Sequence, residues 1–421
     1  MLELPPTTIE KALTLNLDPL KYGTIVEIGA GQEVTRWFFQ AGAAAGTVAK
    51  TMSAYDMNFS DEIYGAAPGR RYVSRQRLED MLAQEFDLVV SRVEDHRPDD
   101  STFFAFANTV STLGYKKREE CHGWMGVRLQ GSPKSEPDEI ILHARLLDDT
   151  NLEQQEALGI LGVNLIYGAF LYRDDPEKLL RSLMDNLKWG HVELDLVDLR
   201  GPTFDALDNR LMALELVKAS LTRAVMFDPE GNVVIPADAL YKRSVLALRS
   251  ESEQLLEADL AIFRDAGERF KAITDDTQSE PLPLAEITMS ELANDEQIDT
   301  GKFLTRVTEF CENGFYVLIS EFFRYFRVRQ YLSRYTARPV GIVTGVEGFQ
   351  KIFREDYYEG VPGGILEGLG QVFPDPTVAF VYPGFEEEAR VTLDDLHISG
   401  HLQPLLSYLR ERGKVVPVDD F

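Results

Sequence analysis

Short runs of β-branched and aromatic residues alternate along the chain with segments that have the hydrophobic period of a helix. The clearest strand candidates lie at 24–28, 139–146, 191–199, 244–249, 284–288, 315–320, 340–344 and 378–382. Helical periodicity separates them, most clearly at 33–43, 205–220, 300–312, 322–335 and 401–412. This alternation predicts an α/β fold with a largely parallel sheet.

The strand candidates leave two architectures open for the C-terminal part. Six of them follow residue 150, and the two strands of a hairpin candidate at 224–235 bring the count to roughly eight, which is the number in a (β/α)8-like barrel. Their spacing is uneven, however, and residues 224–235 have the pattern of an antiparallel hairpin turned at Asp228. We therefore prefer a doubly wound, Rossmann-like open sheet. We expect an N-terminal α/β region at 1–150, which carries a glycine turn, and a larger C-terminal α/β domain at 151–421.

Composition narrows the classes of function. The 421 residues include 69 acidic and 43 basic residues, a net charge of −26, so we expect no binding to nucleic acid or to a membrane. The chain has two cysteines, its N-terminus lacks a signal-peptide pattern, and its longest uncharged run (157–172) is short for a bilayer span. These features predict a cytoplasmic protein. The cysteines have no metal-ligand spacing, and the isolated i, i+4 pair His397 and His401 is a weak zinc signal, so no metal site is predicted.

The stretch TIVEIGAGQEV, residues 24–34, has the form of a strand, a glycine turn and the start of a helix. Gly29 and Gly31 would let the backbone approach a ligand, but the third glycine of a GxGxxG motif is absent, and Glu33 would repel a phosphate. An S-adenosylmethionine-dependent methyltransferase needs an acid after a second strand, and the nearest one, Asp56, follows no apolar run. A structural turn, a methyltransferase loop and a turn for another ligand all stay open.

Residues 41–65 combine small residues with hydroxyl groups and one lysine. Lys50 stands four residues after Gly46, whereas a phosphate loop needs its lysine next to the last glycine, so no Walker site is predicted. Lys50 would still neutralise an anionic ligand, with Asp56 as an acid or base. Tight helix packing followed by a polar loop is the alternative interpretation.

Polar residues also stand where predicted strands end, at the edge where α/β proteins bind ligands. Asp198, Arg249 and Thr344 lie at such ends, and Glu286 lies within another strand. Because a buried charge needs a partner, Arg249 and Glu286 either form a structural pair or share a substrate. In the second case Arg249 would orient the ligand and Glu286 would act as an acid or base.

Several phrases resemble those of a bacterial family of uncharacterised proteins, among them EIGAGQEV, AAGTVAKTMSAYDMNFSDEIYG, CHGWMG, DDTNLEQQEALGILGVNLI and GGILEGLG. Members of that family are often labelled nicotinate-nucleotide adenylyltransferases, and sometimes TonB-dependent receptors. The first label would imply an (H/T)xGH motif that binds ATP phosphates, and the second a secretion signal and an outer-membrane barrel. The sequence shows neither pattern, so the resemblance assigns no catalytic residue.

The leading hypothesis is a cytoplasmic enzyme that binds a nucleotide-like or phosphorylated small molecule. Group transfer is one reaction open to such an enzyme, and the spacing of the residues does not fix the reaction. Its candidate residues are Asp56 and Glu286 for catalysis and Gly29, Gly31, Lys50, Asp198 and Arg249 for binding the ligand. No cofactor is assigned, and homo-oligomerisation stays open. The competing hypothesis is a non-catalytic binding or assembly protein.

Overall fold

The computed structural model describes residues 4–114, 121–249, 255–274, 280–294, 297–386 and 389–418. The chain divides into two compact units, Met1–Thr222 and Arg223–Phe421. Among the described residues, no helix is both long enough and apolar enough to cross a membrane.

The elements of the first unit are α1 (Thr8–Asn16), β1 (Lys21–Ile28), α2 (Glu33–Ala41), β2 (Val48–Met52), α3 (Met57–Tyr64), α4 (Arg75–Val93), β3 (Thr102–Ser111), β4 (His122–Gln130), β5 (Pro137–Leu146), α5 (Asn151–Leu171), α6 (Pro176–Ser182), β6 (Val192–Arg200) and α7 (Asn209–Lys218). Their starts follow local chemistry. Thr7 and Glu10 form a capping box at α1, and Asp175 caps α6, whose first residue is a proline.

The strands of the first unit form one mixed sheet in the order β2-β1-β3-β4-β5-β6. β2, β1 and β3 are parallel, and β3 to β6 pair antiparallel with their neighbours. A Cβ at Gly126 of β4 would meet α4, and one at Gly162 of α5 would meet Phe106 of β3. Gly126 pairs with Ala107, and successive strand residues point to opposite faces. The helices α4 and α5 therefore cover opposite faces of the sheet.

The division between the units differs from the predicted boundary at residue 150. That position lies just before α5, inside the first unit. The strand β6 follows α5 and α6 in sequence but pairs antiparallel with β5. Residues 151–222 therefore belong to the first unit. The pairing of β6 with β5 joins residues distant in sequence, and hydrophobic periodicity carries no information about it.

The elements of the second unit are β7 (Ala224–Phe227), β8 (Val233–Val234), α8 (Pro236–Ala239), β9 (Val245–Arg249), α9 (Glu257–Thr274), β10 (Leu282–Thr288), β11 (Ala293–Asn294), β12 (Gln297–Ile298), α10 (Thr300–Glu312), β13 (Tyr316–Ser320), α11 (Tyr325–Ser333), β14 (Val340–Gly345), α12 (Val346–Ile352), α13 (Gly364–Val372), β15 (Thr377–Tyr382), β16 (Gly384–Glu386), β17 (Ala389–Val391), α14 (Gln403–Glu411) and β18 (Val415–Pro417). The predicted hairpin is β7–β8, whose turn places Gly231 at a φ of +82°.

The main sheet of the second unit has the order β18-β15-β14-β9-β10-β13-β7-β8. Its first six strands are parallel, and β7 and β8 are antiparallel additions. From β9 the chain proceeds to β10 and β13, then returns to the other side of β9 with β14, β15 and β18. The strand order therefore reverses between β9 and β14. Doubly wound folds have their topological switch point at such a reversal.

Helices cover both faces of this sheet. Phe270 of α9 packs with Val343 and Phe380 on one face, whereas Phe349 of α12 packs with Ile342 on the other. The sheet is open, with β18 and β8 as its two edges. The predicted α/β class and the preferred Rossmann-like open sheet are confirmed, and the barrel alternative is not the architecture.

Candidate functional site

The glycine turn of the first unit lies tightly against a neighbouring strand. Gly29 has a φ of +102°, and a Cβ there would lie 1.9 Å from the carbonyl oxygen of Val110 in β3. Gly31 has a φ of +84°, and its N–H donates to the Tyr55 hydroxyl at 2.7 Å. Both residues therefore need to be glycine for reasons of local geometry alone.

A carboxylate of the chain occupies the N-terminus of the helix that follows this turn. Glu27, buried in β1, accepts hydrogen bonds from the backbone N–H groups of Val34 at 3.1 Å and Thr35 at 2.9 Å. Asn108 of β3 donates to the same carboxylate at 3.3 Å. Burial raises the pKa of Glu27, against the opposing effect of these donors. The amides that bind a phosphate in a dinucleotide site thus already have an acceptor.

Lys50 and Asp56 each have a structural partner. The Lys50 Nζ lies 2.5 Å from Oε2 of Glu85, a buried carboxylate that also accepts from the Tyr64 hydroxyl at 2.8 Å. Asp56 caps α3, because its Oδ1 accepts from the Phe59 N–H at 2.8 Å. These contacts account for both residues without a ligand.

Asp198 belongs to an ion-pair network at the end of β6. It contacts the guanidinium of Arg75, lies 2.8 Å from Nη2 of Arg200, and accepts from Nδ2 of Asn209 at 3.0 Å. Asp198 therefore links its strand to α4 and to the first residue of α7.

A polar row in the first sheet escaped the sequence analysis. His143 Nδ1 lies 2.5 Å from Oδ1 of Asp195, and His143 Nε2 lies 2.9 Å from Nδ1 of His122. The register shifts between β5 and β6 at this point, which leaves Asp195 as the extra residue of a bulge. A carboxylate only accepts, so His143 Nδ1 carries the proton of its bond to Asp195. The available sequence signal was a polar, ionisable residue within each of two apolar strands.

In the second unit the structure brings Arg249 and Glu286 together. The Arg249 Nε donates to Glu286 Oε2 at 2.8 Å, and its Nη2 donates to Oε1 at 3.0 Å. Both side chains are buried. Burial lowers the pKa of Arg249, but the charge and hydrogen bonds of Glu286 outweigh it and raise that pKa above its ordinary value. The bidentate geometry is that of a strong structural pair.

Further hydrogen bonds complete the surroundings of this pair. The Ser320 hydroxyl at the end of β13 donates to Glu286 Oε1 at 2.6 Å. The Arg249 guanidinium also donates to the carbonyl oxygens of Phe322 at 2.9 Å and Phe323 at 3.3 Å, and it lies over the Tyr325 ring. The pair thus joins three parallel strands to the segment that leads into α11.

A crevice opens at the carboxyl ends of β9, β14 and β15, beside the reversal in strand order. It has a volume of about 300 Å³ and is lined by Leu248, Arg249, Asp259, Ile262, Tyr325, Val343, Thr344, Val346, Glu347, Tyr382 and Pro383, together with three glycines. Of the candidates named from sequence, Arg249 and Thr344 lie in this lining. Asp259, Tyr325 and Glu347 were missed because they come from helices, which carry no strand-end signal.

The crevice is acidic. Asp259 of α9 and Glu347 of α12 contribute carboxylates, whereas the charge of Arg249 is balanced by Glu286. Asp259 also accepts from the Leu256 N–H at 2.9 Å, which fixes its side chain at the start of α9. In the described part of the chain, no three His, Cys, Asp or Glu side chains are grouped so that they could hold a metal ion.

Comparisons with known proteins add little to this geometry. No family model matches the chain, and no curated protein matches it. Among solved structures, a competence/damage-inducible protein CihA from Agrobacterium tumefaciens matches with 16% identity and a TM-score of 0.28, over 39% of this chain and 97% of that one. A CinA superfamily protein from Enterobacter cloacae matches with 12% identity and a TM-score of 0.30, over 40% of this chain and 96% of that one. A competence or damage-inducible protein from Enterobacter asburiae matches with 13% identity and a TM-score of 0.29, over 39% of this chain and 99% of that one. TM-scores this low carry no argument about function.

Gly29→Ala should destabilise the protein strongly. The new Cβ would overlap the Val110 carbonyl oxygen, and the residue would keep a positive φ. We expect a loss of about 3 kcal/mol in the free energy of unfolding, measured with urea. Gly42→Ala is the matched control, because Gly42 also has a positive φ but a Cβ there meets no described atom within 4 Å. It should cost about 1 kcal/mol, and equal losses would contradict the role assigned to Val110.

Arg249→Met should leave Glu286 buried without its partner. We expect a loss of about 3–5 kcal/mol in the free energy of unfolding, because one charge of a buried pair then lacks compensation. The double variant Arg249→Met/Glu286→Leu should recover most of that loss. Arg354→Met, which removes an exposed arginine paired with exposed Asp356, should change stability by about 0.5 kcal/mol or less. A single variant as stable as the double would show that the pair is not structural.

Proposed function

We propose that the second unit binds a nucleoside-like small molecule in the crevice beside β9 and β14. The observation that carries the proposal is a cavity of about 300 Å³ at the carboxyl edge of a doubly wound sheet, where the strand order reverses. Open α/β sheets bind their ligands at this position, because the connections on the two sides of the reversal run to opposite faces and leave a crevice. The volume is at the lower end of the range for small-molecule sites.

The charges of the crevice favour a ligand with hydroxyl or ammonium groups. The carboxylate oxygens of Asp259 and Glu347 are hydrogen-bond acceptors, so they suit the hydroxyl groups of a sugar. A phosphate in the same place would meet two carboxylates. Arg249 offers it little compensation, since Glu286 and two backbone carbonyls already accept from the guanidinium.

The apolar part of the lining supports the nucleoside-like class. Ile262, Val346 and Pro383 contribute aliphatic surface, and Tyr325 and Tyr382 contribute rings. A site with an apolar wall and a few polar groups holds a flat base against the wall and fixes a sugar through its hydroxyls. Thr344, at the end of β14, adds a hydroxyl to this polar side.

Group transfer stays a prediction, and so does a phosphorylated ligand. Glu286, the acid or base named from sequence, is held by Arg249 and Ser320. In a transfer reaction Asp259 or Glu347 would instead be the carboxylate next to a ligand hydroxyl. A non-catalytic binding protein would use the same crevice without turnover.

Adenosine and AMP should distinguish the ligand classes, because they differ only in the phosphate. In a calorimetric panel of nucleosides and their monophosphates, we expect at least one nucleoside to bind and its monophosphate to bind about tenfold more weakly or worse. A nucleoside at a hundredfold excess over its dissociation constant should stabilise the protein by about 2.7 kcal/mol. For a unit of this size the unfolding temperature should rise by about 5–10 °C.

Variants of the two carboxylates locate the binding. Asp259→Asn and Glu347→Gln should each weaken nucleoside binding about tenfold or more, since each removes a charged acceptor. Glu312→Gln is the control, because Glu312 is exposed on α10 and does not line the crevice. Tighter binding of the monophosphate would favour the phosphorylated-ligand hypothesis, and a panel without any bound nucleoside would contradict the proposal.

A further inference from the structure

A second cavity, of about 310 Å³, lies between α13 and α14; we call it the α13–α14 groove. Its buried surface comes from Leu369, Phe373 and Leu409. At its rim Leu366 is 66% exposed and Tyr408 is 60% exposed. Large apolar side chains that are exposed together around a concave surface commonly mark a binding site.

A glycine inside α13 helps to keep this groove open. Gly370 lines the groove, and a Cβ built there meets no described atom within 4 Å. Glycine within a helix is unfavourable relative to alanine, so a glycine that packing does not require is a cost to the fold. A larger residue at this position would extend into the groove.

One end of the groove carries a local excess of positive charge. Arg412 and Lys414, at and after the end of α14, line this end together with Asp375. Lys414 is ion-paired with Asp375, so the three groups together carry one net positive charge. This charge stands beside an apolar surface, in a chain whose net charge is −26.

We propose that the α13–α14 groove binds a free single-chain amphiphile with an anionic head, such as an acyl carboxylate. The chain lies along Leu369, Phe373 and Leu409, and the carboxylate lies at Arg412. A water molecule takes about 30 Å³ of the liquid, so a cavity of this volume holds about ten groups of similar size. A carboxylate of about ten carbons is the expected length.

Calorimetric titration with decanoate, decanol and decyltrimethylammonium tests the head group and the groove together. We expect decanoate to bind most tightly, and octanoate to bind about fifteenfold more weakly, since each buried methylene contributes about a fourfold change in affinity. Arg412→Gln should weaken decanoate about tenfold and leave decanol unchanged. Gly370→Leu should abolish binding of both.

Two control variants test whether a change in decanoate binding is specific to the α13–α14 groove. Gly267→Ala also replaces a helix glycine, in α9, where the new Cβ would make an ordinary contact with Leu246; it should leave decanoate binding unchanged. Asp259→Asn, in the crevice, should leave it unchanged too. We expect unchanged decanoate binding in Asp259→Asn whether or not the crevice binds nucleosides, so this test is independent of the proposed function.

Three outcomes would overturn the proposal. Equal affinity for decanoate and decanol in the parent protein and in Arg412→Gln would remove the role of the head group. A dimer that Gly370→Leu dissociates would assign the groove to a second copy of the chain. Co-sedimentation with vesicles containing phosphatidylglycerol, abolished by Gly370→Leu, would assign it to a membrane surface.

Discussion

Arg249 and Glu286 form a buried, bidentate ion pair on which the carboxyl edge of the second sheet depends. A charge buried alone is costly, so each residue requires the other, and Ser320 and the carbonyl of Phe322 satisfy further polar atoms. The pair fixes the ends of β9, β10 and β13 relative to the segment before α11. Of the pair, Arg249 lines the crevice. Because the Arg249 guanidinium already donates to Glu286 and to the carbonyl of Phe322, it has fewer N–H groups and less uncompensated charge with which to bind an anion.

In the first unit, too, a buried charged group needs hydrogen-bond partners. There the carboxylate of Glu27 binds the backbone amides that would otherwise be open to a ligand. Glu27 accepts from two backbone amides at the start of α2, the groups that face a phosphate in a dinucleotide-binding protein. Gly29 approaches the Val110 carbonyl too closely for any side chain. The strand, glycine turn and helix follow one another in the order of a nucleotide loop, but here a buried carboxylate of the chain accepts from the amides at the helix terminus.

The fold was more accessible from sequence than the site. Alternating apolar runs located the longer strands of the second unit because burial sets their pattern locally, and the turn at Asp228 located the hairpin. In the first unit, β2, β3 and β4 were not among the strand candidates. Strand order depends on contacts between distant residues, so neither the β5–β6 pairing nor the division at Thr222 followed from periodicity. Among the site candidates, both interpretations of Arg249 and Glu286 brought the two residues together, since both charges stood in apolar strands, and the structure contains this contact.

Partners of exposed and half-buried charges were harder to foresee. Lys50 pairs with Glu85, a residue 35 positions later on α4, and nothing in the small-residue segment indicated that contact. The capping role of Asp56 is easier to predict, because an aspartate directly before a helical stretch is a common N-cap. The acidic lining of the crevice also depends on two helices, α9 and α12, that only the strand order brings to the same edge.

Local charge, more than net charge, decides which ligands these surfaces accept. The chain carries −26 overall, but at physiological ionic strength exposed charges are largely screened beyond about 8 Å. A ligand seated in the crevice therefore interacts mainly with Asp259 and Glu347, and one in the α13–α14 groove mainly with Arg412, Lys414 and Asp375. The two carboxylates at the crevice are unfavourable to a phosphate, whereas the end of the groove carries one net positive charge. Fold class and composition thus limit the classes of function, and the sign of the charge next to each cavity then favours one class of ligand over another.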